Sequence, residues 1–430
     1  MPPPKNFEIA IVGGGIAGIT LAIALHSRNI PVRIYEQAAA FGEIGAGVSF
    51  SPNAVQAMRI CDEGVYNAFE KVCTKNVWPS KEKVWFDYID GYHDVDEIAF
   101  SISNSLGQRG VHRARFLEEM VQLVPENIAY FGKRLRWLEE NSNGKVVMNF
   151  EDGTSAEADA VIGCDGIKSR VRQSLFGADH PCAKPSYTNK YAYRGLVPME
   201  DAVATIGKEW AENACMHYKM GPGGHVLTFP VNHGQTLNIV AFKTDPNDWP
   251  DPQRLTKPAV REDLLRDFDE YNEKTKKLLG LTTAKLDIWA IFDLMANPPP
   301  SYAVGRVCII GDAAHATSPH HGAGAGLGIE DSAVLAEMLA DKLVVSPEML
   351  ATVFSTFDAQ RKERGRFLVE SSRFIGDCYE WQVDSVGSDL KAIEAEIRWR
   401  NDRIANVDLV EMCKIARAEL SRRIQVMASI

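Results

Sequence analysis

The segment from residue 311 to residue 331, GDAAHATSPHHGAGAGLGIED, concentrates residue types that could do chemistry. His320 and His321 stand side by side after Pro319, and a run of alternating glycines follows them. Imidazole changes its charge near neutral pH, so His320 is a candidate base for a weakly acidic group. The glycines carry no Cβ atom, which predicts that a bound group lies directly against this stretch of backbone.

A buried strand leads into this segment and a helix leads out of it. The stretch GRVCIIGDAAHA reads as a strand that ends at Gly311-Asp312, and the helix is predicted from Gly328 to Leu343. The free N–H groups and the dipole at the start of that helix would stabilise negative charge on the ligand. The positions predicted at the closest approach are Gly322, Gly324, Gly326 and Gly328.

The N-terminal stretch FEIAIVGGGIAGITLAIALHSRNIPVRIYEQ reads as one βαβ unit. Gly13 permits the tight turn after the first strand, Gly15 lets a pyrophosphate touch the backbone, and Gly18 lets the helix from Ala17 lie close to the sheet. Glu36 ends the second strand, where a carboxylate accepts hydrogen bonds from ribose hydroxyls. The unit predicts dinucleotide binding and leaves FAD and NAD open.

A third segment, ADAVIGCDGIKSRVRQSLFG, has a strand that ends at Asp165-Gly166 and a helix after it. The three motifs, in this order between residues 9 and 331, resemble those of the flavin-dependent aromatic hydroxylases. These are the single-component monooxygenases of the p-hydroxybenzoate and salicylate hydroxylase family. The resemblance, strongest to the fungal salicylate hydroxylase-like monooxygenases, implies an α/β fold. It would combine a Rossmann-like FAD-binding domain of the p-hydroxybenzoate hydroxylase type, an antiparallel β-sheet substrate domain and C-terminal helices.

The resemblance also implies FAD as cofactor and NADH or NADPH as co-substrate. Asp312 would bind a ribityl hydroxyl, Asp165 and Gly166 would lie near the pyrophosphate, and Arg113 would reach the phosphate region. A cation at a helix start beside a pyrophosphate is sound chemistry. The expected cofactor-binding residues are Gly13, Gly15, Ala17, Gly18, Glu36, Arg113, Asp165, Gly166, Asp312, Gly322, Gly324 and Ala325.

For the substrate, the resemblance implies oxygen transfer from a flavin C4a-hydroperoxide to a phenol. The expected catalytic residues are His320, as the base, and Arg194, which would clamp a carboxylate or a phenolate. The alternatives for Arg194 are an outward charge or an ion pair with Glu200 or Asp201. The expected substrate-binding residues are Arg194, His225, Phe229, Pro319, His320 and His321, with Met216, His217 and Tyr218 as further candidates, while His315 is expected to be structural.

The domain prediction follows from a change in pattern along the chain. Residues 1–180 and 295–370 are expected to form a discontinuous FAD-binding domain, and residues 181–294, with short alternating strands, a substrate-binding sheet. Residues 371–430 are expected to be helical, and the tail either packs on the FAD domain or forms a dimer contact. A monomer and a homodimer both stay open.

Composition excludes several classes of function. The 430 residues carry a net charge of −10 with dispersed Lys and Arg, which disfavours nucleic acids and anionic membranes as partners. The eight cysteines form no C-x-x-C pair, so neither a disulfide framework nor a metal site is expected. The N-terminal stretch has no targeting character, and a cytoplasmic protein without a transmembrane helix is expected.

The leading hypothesis is an NAD(P)H- and FAD-dependent monooxygenase of a small phenolic acid, with salicylate first and catechol and CO2 as products. The first alternative is a tailoring hydroxylase or dearomatase that acts on a polyketide phenol. Phe229 stands where dearomatising relatives have a tyrosine, which weakens the dearomatase variant. The second alternative is a non-catalytic escort protein with an FAD-type fold, which the intact motifs disfavour.

Overall fold

The computed structural model describes residues 5–42, 47–95, 97–213, 216–251 and 254–428, without the side chains of residues 216–218 and 428. Within these ranges, the strands β1 to β20 are, in chain order, Ile9–Val12, Val32–Tyr35, Gly47–Ser49, Thr74–Lys75, Val84–Asp90, Ile98–Ser103, Arg109–His112, Ala129–Tyr130, Leu135–Glu140, Val146–Phe150, Ser155–Ala158, Ala160–Gly163, Ser186–Pro198, Met216–Gly221, Gly224–Val231, Thr236–Thr244, Thr256–Val260, Lys285–Asp293, Ala303–Val304 and Val307–Ile309.

The helices α1 to α14 of the same ranges are, in chain order, Ile16–Ser27, Pro52–Cys61, Glu63–Val72, Arg113–Val121, Arg170–Phe176, Met199–Ile206, Lys208–Glu212, Arg261–Asp267, Glu273–Gly280, Asp312–His315, Gly324–Leu339, Leu350–Tyr379, Leu390–Ala405 and Leu409–Ala428. No helix among the described residues combines the length and the apolarity that a membrane crossing requires.

The first layer is a six-stranded sheet in the order β19-β20-β12-β1-β2-β8. Strand β1 pairs in parallel with β2 and β12, and β12 pairs in parallel with β20. β1, β12 and β20 are apolar along their whole length because helices cover both faces of a parallel sheet. The carboxyl ends of these three strands, where the three motifs begin, therefore lie at one edge of the sheet.

Helix α11 begins at Gly324, four residues before the predicted start at Gly328, and ends at Leu339. Its first backbone bond runs from the Leu327 N–H to the Ala323 carbonyl, at 2.9 Å. Glycines are poor helix formers, which is why the sequence pattern predicts a later start. Packing of the buried helix against α1 and α2 outweighs that preference.

The second layer is an eight-stranded sheet in the order β17-β18-β13-β16-β15-β14-β5-β6. The sheet is mixed and not purely antiparallel as predicted, because β14 pairs with β5 in parallel. Strands β5 and β6, residues 84–103, lie in this sheet, although the predicted boundaries assign them to the FAD-binding domain. β5 precedes its partner β14 by more than 100 residues in the sequence, and a local sequence pattern does not predict so distant a pairing.

Helix α12 connects the two layers. Its 30 residues span about 45 Å and run without a break through the predicted boundary between residues 370 and 371. Phe354 and Phe357 in its first half pack into the core around the six-stranded sheet, whereas Ile375 and Tyr379 in its second half pack into the core beneath the eight-stranded sheet. The same continuous helix therefore packs against both layers and sets the distance between them.

The C-terminal helix α14 packs on the first layer. Its residues Leu409, Cys413 and Leu420 belong to the same core as strand β1. Of the two options for the tail, the structure shows packing on the FAD-binding domain, through contacts of α14 with α2, α11 and α12. The predicted α/β class, with a Rossmann-like first layer and C-terminal helices, is confirmed.

Candidate active site

A cavity of about 340 Å³ lies between the three motif turns and the eight-stranded sheet. The turn after β1, the turn after β12 and the turn after β20 all reach it, because parallel strands end at the same edge. The residues contributed by these turns and by the loop before α11 are Gly15, Ile16, Ala17, Cys164, Gly166, Ile310, Gly311, Asp312, Thr317, Pro319, His320, Gly322, Ala323, Gly324, Ala325 and Gly328. Three segments that are far apart in the sequence thus meet at one site.

The turn after β1 is bare backbone packed tightly against its neighbours. Gly13 has a φ of +106°, and a Cβ atom there would lie 2.5 Å from the Cys164 carbonyl oxygen. Gly18 lies against the Gly13 carbonyl, so α1 approaches the sheet at this point. The Glu36 carboxylate accepts hydrogen bonds from the N–H groups of Gly14, at 2.6 Å, and Ala38, at 2.7 Å. Glu36 is therefore held beside the turn, where a ribose of a bound dinucleotide would lie.

The two residues of the second motif, Asp165 and Gly166, have different surroundings. Gly166 lines the cavity. The Asp165 carboxylate turns away and accepts bonds from Ser169 Oγ, at 2.5 Å, and from the N–H groups of Arg170 and Val171, at 2.6 and 3.0 Å. Asp165 thus caps α5 instead of facing the cofactor as predicted, because the free N–H groups at a helix start attract a nearby carboxylate.

The third motif brings Asp312 to the cavity at the start of α10. Gly322, with a φ of +63°, and Gly324 follow along the same wall. Gly326 does not belong to this wall, because a Cβ atom there would lie 2.9 Å from Ala54 of α2. Its missing side chain permits the close packing of two helices and not the approach of a ligand.

The opposite wall is the face of the eight-stranded sheet formed by β13, β16 and β15. Strand register orders this face in rows across those three strands. The first row is Leu196, Asn238 and Phe229, the second is Arg194, Val240 and Leu227, and the third is Ala192, Phe242 and His225. Asn238, Val240 and Phe242 line the cavity although they were not predicted. The alternation in TLNIVAF could have indicated them, because side chains two apart share one face of a strand.

Two arginines reach the cavity, Arg194 from β13 and Arg113 from the start of α4. The Arg194 guanidinium lies 4.6 Å from the ring centre of Trp289. Burial, and then the positive charge of Arg113, lower the pKa of Arg194. Two like charges at one cavity favour an anionic partner. This arrangement fits the predicted clamp, and among the described residues neither Glu200 nor Asp201 forms an ion pair with Arg194.

His320 stands in the cavity wall between the sheet and α12. Its ring centre lies 5.1 Å from Phe242, 5.2 Å from His225 and 6.3 Å from Tyr379, and Gly376 packs directly against it. Burial, reinforced by His225, lowers the pKa of His320 well below its ordinary value. The ring is therefore neutral at physiological pH, and a role as base requires a group that stabilises its protonated form.

His321 and His225 do not line this cavity. His321 directs Nδ1 to Asn401 Oδ1, at 3.0 Å, and Nε2 to Ser371 Oγ, at 2.8 Å, and burial lowers its pKa to about 3. His225 lies behind Phe242, with Nδ1 3.1 Å from Glu380 Oε1. Neither position fits the predicted contact with substrate. His321 points away because consecutive residues of the turn 319–321 point to different sides, and His225 of β15 is held by Glu380 and Phe242.

The other substrate candidates divide in the same way. Phe229 and Pro319 line the cavity, and the Phe229 ring packs against Gly47 of β3. Gly47, Val48 and Ser49 are further cavity residues that the sequence reasoning missed. The side chains of residues 216–218, which include the candidates Met216, His217 and Tyr218, lie outside the described part of the structure.

A buried charge network supports the turn after β20. Asp331 accepts bonds from the Gly311 N–H, at 3.1 Å, from His315 Nε2, at 2.6 Å, and from Arg361 Nε, at 2.8 Å. Burial alone would raise the pKa of Asp331, but His315 and Arg361 hold it at about 2. Arg361 also donates to Glu330, at 2.8 Å. His315 therefore has the structural position expected of it.

The bare turns, the Glu36 carboxylate and the cavity-facing Arg113 fit a flavin dinucleotide. The turn after β1 and the start of α1 would hold the pyrophosphate, since α1 carries no acidic residue in its first turn to compete with an anion. Glu36 would accept the ribose hydroxyls, and Asp312 would bind the ribityl chain. Gly322 to Ala325 would lie against the ring system.

Comparisons with known proteins agree with this geometry. A family model described as an FAD binding domain matches residues 6–372. The chain is 46% identical to the FAD-dependent monooxygenase pigN of Monascus ruber, over 98% of each chain. It is 44% identical to the salicylate hydroxylase asL1 of Sarocladium schorii, over 98% of this chain and 92% of that protein. A solved substrate complex of salicylate hydroxylase has a TM-score of 0.84 and 33% identity, and covers 96% of this chain and 98% of its own.

These similarities extend over nearly the whole chain and over the residues that form the cavity. The predicted cofactor, FAD with NAD(P)H as reductant, is thereby confirmed. The protein belongs to the FAD-dependent monooxygenases of the salicylate hydroxylase and p-hydroxybenzoate hydroxylase family.

Proposed function

We propose that this monooxygenase hydroxylates a phenol of polyketide type as a tailoring enzyme, with NAD(P)H and O2 as co-substrates. The observation that carries the proposal is Arg194, a cation in an otherwise largely apolar wall that faces the flavin-binding loop. A cation there favours the ionised form of a phenol, and the ring of a phenolate is rich in electrons. Such a ring is the type of substrate that accepts an electrophilic oxygen atom.

Two polar side chains stand in this largely apolar wall. Arg194 and Asn238 lie on the neighbouring strands β13 and β16, whereas Leu227 and Phe229 lie on β15. A substrate that fits would carry an ionised oxygen and a neutral oxygen substituent on one edge and apolar carbon on the other. Amides suit neutral carbonyl or hydroxyl groups, and guanidinium suits anions.

Bound FAD would supply the redox chemistry, by accepting a hydride from NAD(P)H and activating O2. The protein residues orient the phenol and control its proton. Arg194, supported by the charge of Arg113, holds the phenolate oxygen. Phe229, Leu227 and Val240 keep water from the reacting atoms. Before the phenol ionises, its hydroxyl group donates a hydrogen bond to the neutral His320 ring, which takes the proton as the phenolate forms.

The second candidate function is the decarboxylative hydroxylation of salicylate. The 44% identity to a salicylate hydroxylase and the 33% identity to a salicylate hydroxylase of known structure favour it. Arg194 would then bind the carboxylate. The identity to pigN, described only as an FAD-dependent monooxygenase, is 46% and therefore of the same size. Sequence identity thus does not decide between the two functions, and the residues of the site must. Asn238 supports the tailoring function, because it offers a second polar contact for a neutral substituent.

The test is a screen of polyketide-type phenols and salicylates for stimulated NAD(P)H oxidation, with identification of the product. A hydroxylated polyketide phenol in a 1:1 ratio with NAD(P)H supports the proposal, and catechol from salicylate supports the second candidate. Arg194→Met should raise KM for the phenol, whereas Arg254→Met, at a side chain that is 84% exposed, should leave KM unchanged. NAD(P)H oxidation that yields only H2O2 with every phenol would contradict both functions.

The escort hypothesis is set aside, because the chain belongs to a family of enzymes. The dearomatase is a variant of the proposed tailoring function, and identification of the product distinguishes it from a hydroxylase. Phe229 offers no hydroxyl group at the cavity wall, and we therefore expect a product that keeps its aromatic ring.

A further inference from the structure

A buried charge cluster lies behind His320 and takes no part in the function described so far. It consists of Lys190, Glu380 and His225, and is called here the Lys190–Glu380–His225 cluster. Glu380 follows the last residue of α12 and is fully buried. One carboxylate oxygen lies 3.1 Å from His225 Nδ1, and the other contacts the Lys190 ammonium group and accepts a bond from Thr244 Oγ1 at 2.7 Å.

The cluster is connected to the cavity wall through ring contacts. The His225 ring stacks on Phe242, with ring centres 4.5 Å apart and an interplanar angle of 11°. Both rings contact the His320 ring, at 5.2 and 5.1 Å between centres. Gly376 of α12 packs on His320 as well. His320 is therefore clamped between the sheet and the helix that ends at Glu380.

The contact with Glu380 fixes the protonation of His225. A carboxylate only accepts hydrogen bonds, so His225 must donate from Nδ1, and its neutral ring carries its proton there. A buried carboxylate is stable only when it is paired and hydrogen-bonded, and Lys190 and Thr244 complete its shell. The orientation and tautomer of His225 are thus set by the end of α12.

We propose that Glu380 is a positioning residue for the hydroxylation. Through His225 it fixes the ring against which His320 packs, and it places a negative charge behind that ring, outside the cavity. When His320 takes the proton of the phenol, this charge stabilises the resulting imidazolium. The inference rests on the proposed function, because it assigns a role in the handling of the phenol proton.

Charged and titratable groups surround His320 on every side. Burial, His225 and Lys190 disfavour its protonated form, and Glu380 acts in the opposite direction. The groups that contact the ring or act on it are His225 of β15, Lys190 of β13, Tyr379 of α12, Glu380, His321 of its own turn, and Arg113 and Arg194 across the cavity. Asp377 of α12 pairs with Lys190, at 3.0 Å. Glu380 and Lys190 therefore have opposite effects on the same ring, which provides a matched pair of variants.

The first measurement needs no turnover. In holoenzyme labelled with 15N-histidine at neutral pH, the two-bond 1H–15N spectrum reports the tautomer of each ring, and His225→Asn identifies the His225 signals. We expect the Nδ1–H tautomer for His225. The Nε2–H tautomer would overturn the inference, whether or not the enzyme hydroxylates phenols.

The second measurement is the pH profile of kcat/KM with the phenol that the screen identifies. Glu380→Gln should move the acid limb to lower pH by about one unit and lower the plateau, and Lys190→Met should move it to higher pH. The double variant carries no unpaired buried charge and should return toward the wild-type limb. If Glu380 had a purely structural role, Glu380→Gln and Lys190→Met would both lower kcat/KM without shifting the acid limb in opposite directions. That result would overturn the inference.

A third variant covers the case in which the single changes do not fold. Glu380→Asp keeps the charge but withdraws it from His225 by one methylene, and should shift the acid limb in the direction of Glu380→Gln by a smaller amount. An unchanged limb would overturn the inference. If no phenol is hydroxylated at all, the proposed function fails, and the tautomer of His225 then decides the inference alone.

Discussion

The substitution Gly376→Ala tests whether the position of His320 matters for turnover. Gly376 lies in the last turn of α12, and a Cβ atom there would lie 2.5 Å from Nε2 and 2.8 Å from Cγ of His320. Ordinary contacts of a methyl carbon begin near 3.4 Å. The ring of His320, or the helix, must therefore move by about 1 Å, the difference between these distances.

Two opposing effects set the cost in stability. Alanine is better than glycine inside a helix by about 1 kcal/mol. Overpacking of a closely packed site costs about 1–3 kcal/mol. The free energy of unfolding should therefore fall by no more than about 2 kcal/mol, which corresponds to a few degrees in Tm. A displacement of about 1 Å at a reacting site lowers the rate by about a hundredfold.

The assay compares the variant with wild type in FAD content, in Tm and in hydroxylation of the phenol from the screen. We expect bound FAD, a small change in Tm and a loss of hydroxylation of about a hundredfold. Gly280→Ala is the control, because a methyl group there meets no atom within 4 Å. Hydroxylation that stays within twofold of wild type in Gly376→Ala would refute the reasoning that the His320 ring must stay in place.

Three further predictions concern cofactor, stability and pH. Glu36→Ala should weaken FAD binding about ten- to a hundredfold in a fluorescence titration, because a charged hydrogen-bond acceptor is lost, and an unchanged Kd would remove Glu36 from the ribose site. Arg361→Met should lower the free energy of unfolding by about 3–5 kcal/mol in urea, since Glu330 and Asp331 lose a buried partner, and a loss below about 1 kcal/mol would contradict this. For His321, burial holds the pKa at about 3 against an ordinary 6.5, so between these values the unfolded chain binds the extra proton and stability falls as pH falls. His321→Asn should reduce the pH slope of the unfolding free energy by about 1.4 kcal/mol per unit in that window while leaving KM for the phenol unchanged, and a raised KM would place His321 at the cavity after all.

Much of the cofactor site could be predicted because its signals are local. The spacing of Gly13, Gly15 and Gly18 between a strand and a helix leaves few conformations open, and the same holds for Gly311-Asp312. The family resemblance then indicated FAD. The start of α11 was less predictable, because tertiary packing at Gly324 outweighs the low helix propensity of glycine.

The substrate side was less predictable, because its geometry depends on long-range contacts. Asp165 was expected at the cofactor, yet the start of α5 takes its carboxylate. His225 was expected at the substrate, yet Glu380, 155 residues later, holds its ring behind Phe242. Asn238 was missed, because the pairing of β16 with β13 and β15 decides that its face lines the cavity.

The sequence by itself determined the three turns, the binding of a dinucleotide and the strand–turn–helix units, because each depends on residues within about 30 positions of one another. Only the tertiary structure decided which polar side chains face the ligand. His320 and His321 are adjacent in the sequence, but α12 and α13 bind one of them while the cavity receives the other. The physical reason is that a short turn sends neighbouring side chains in different directions, and the elements packed around it decide which direction leads to the substrate.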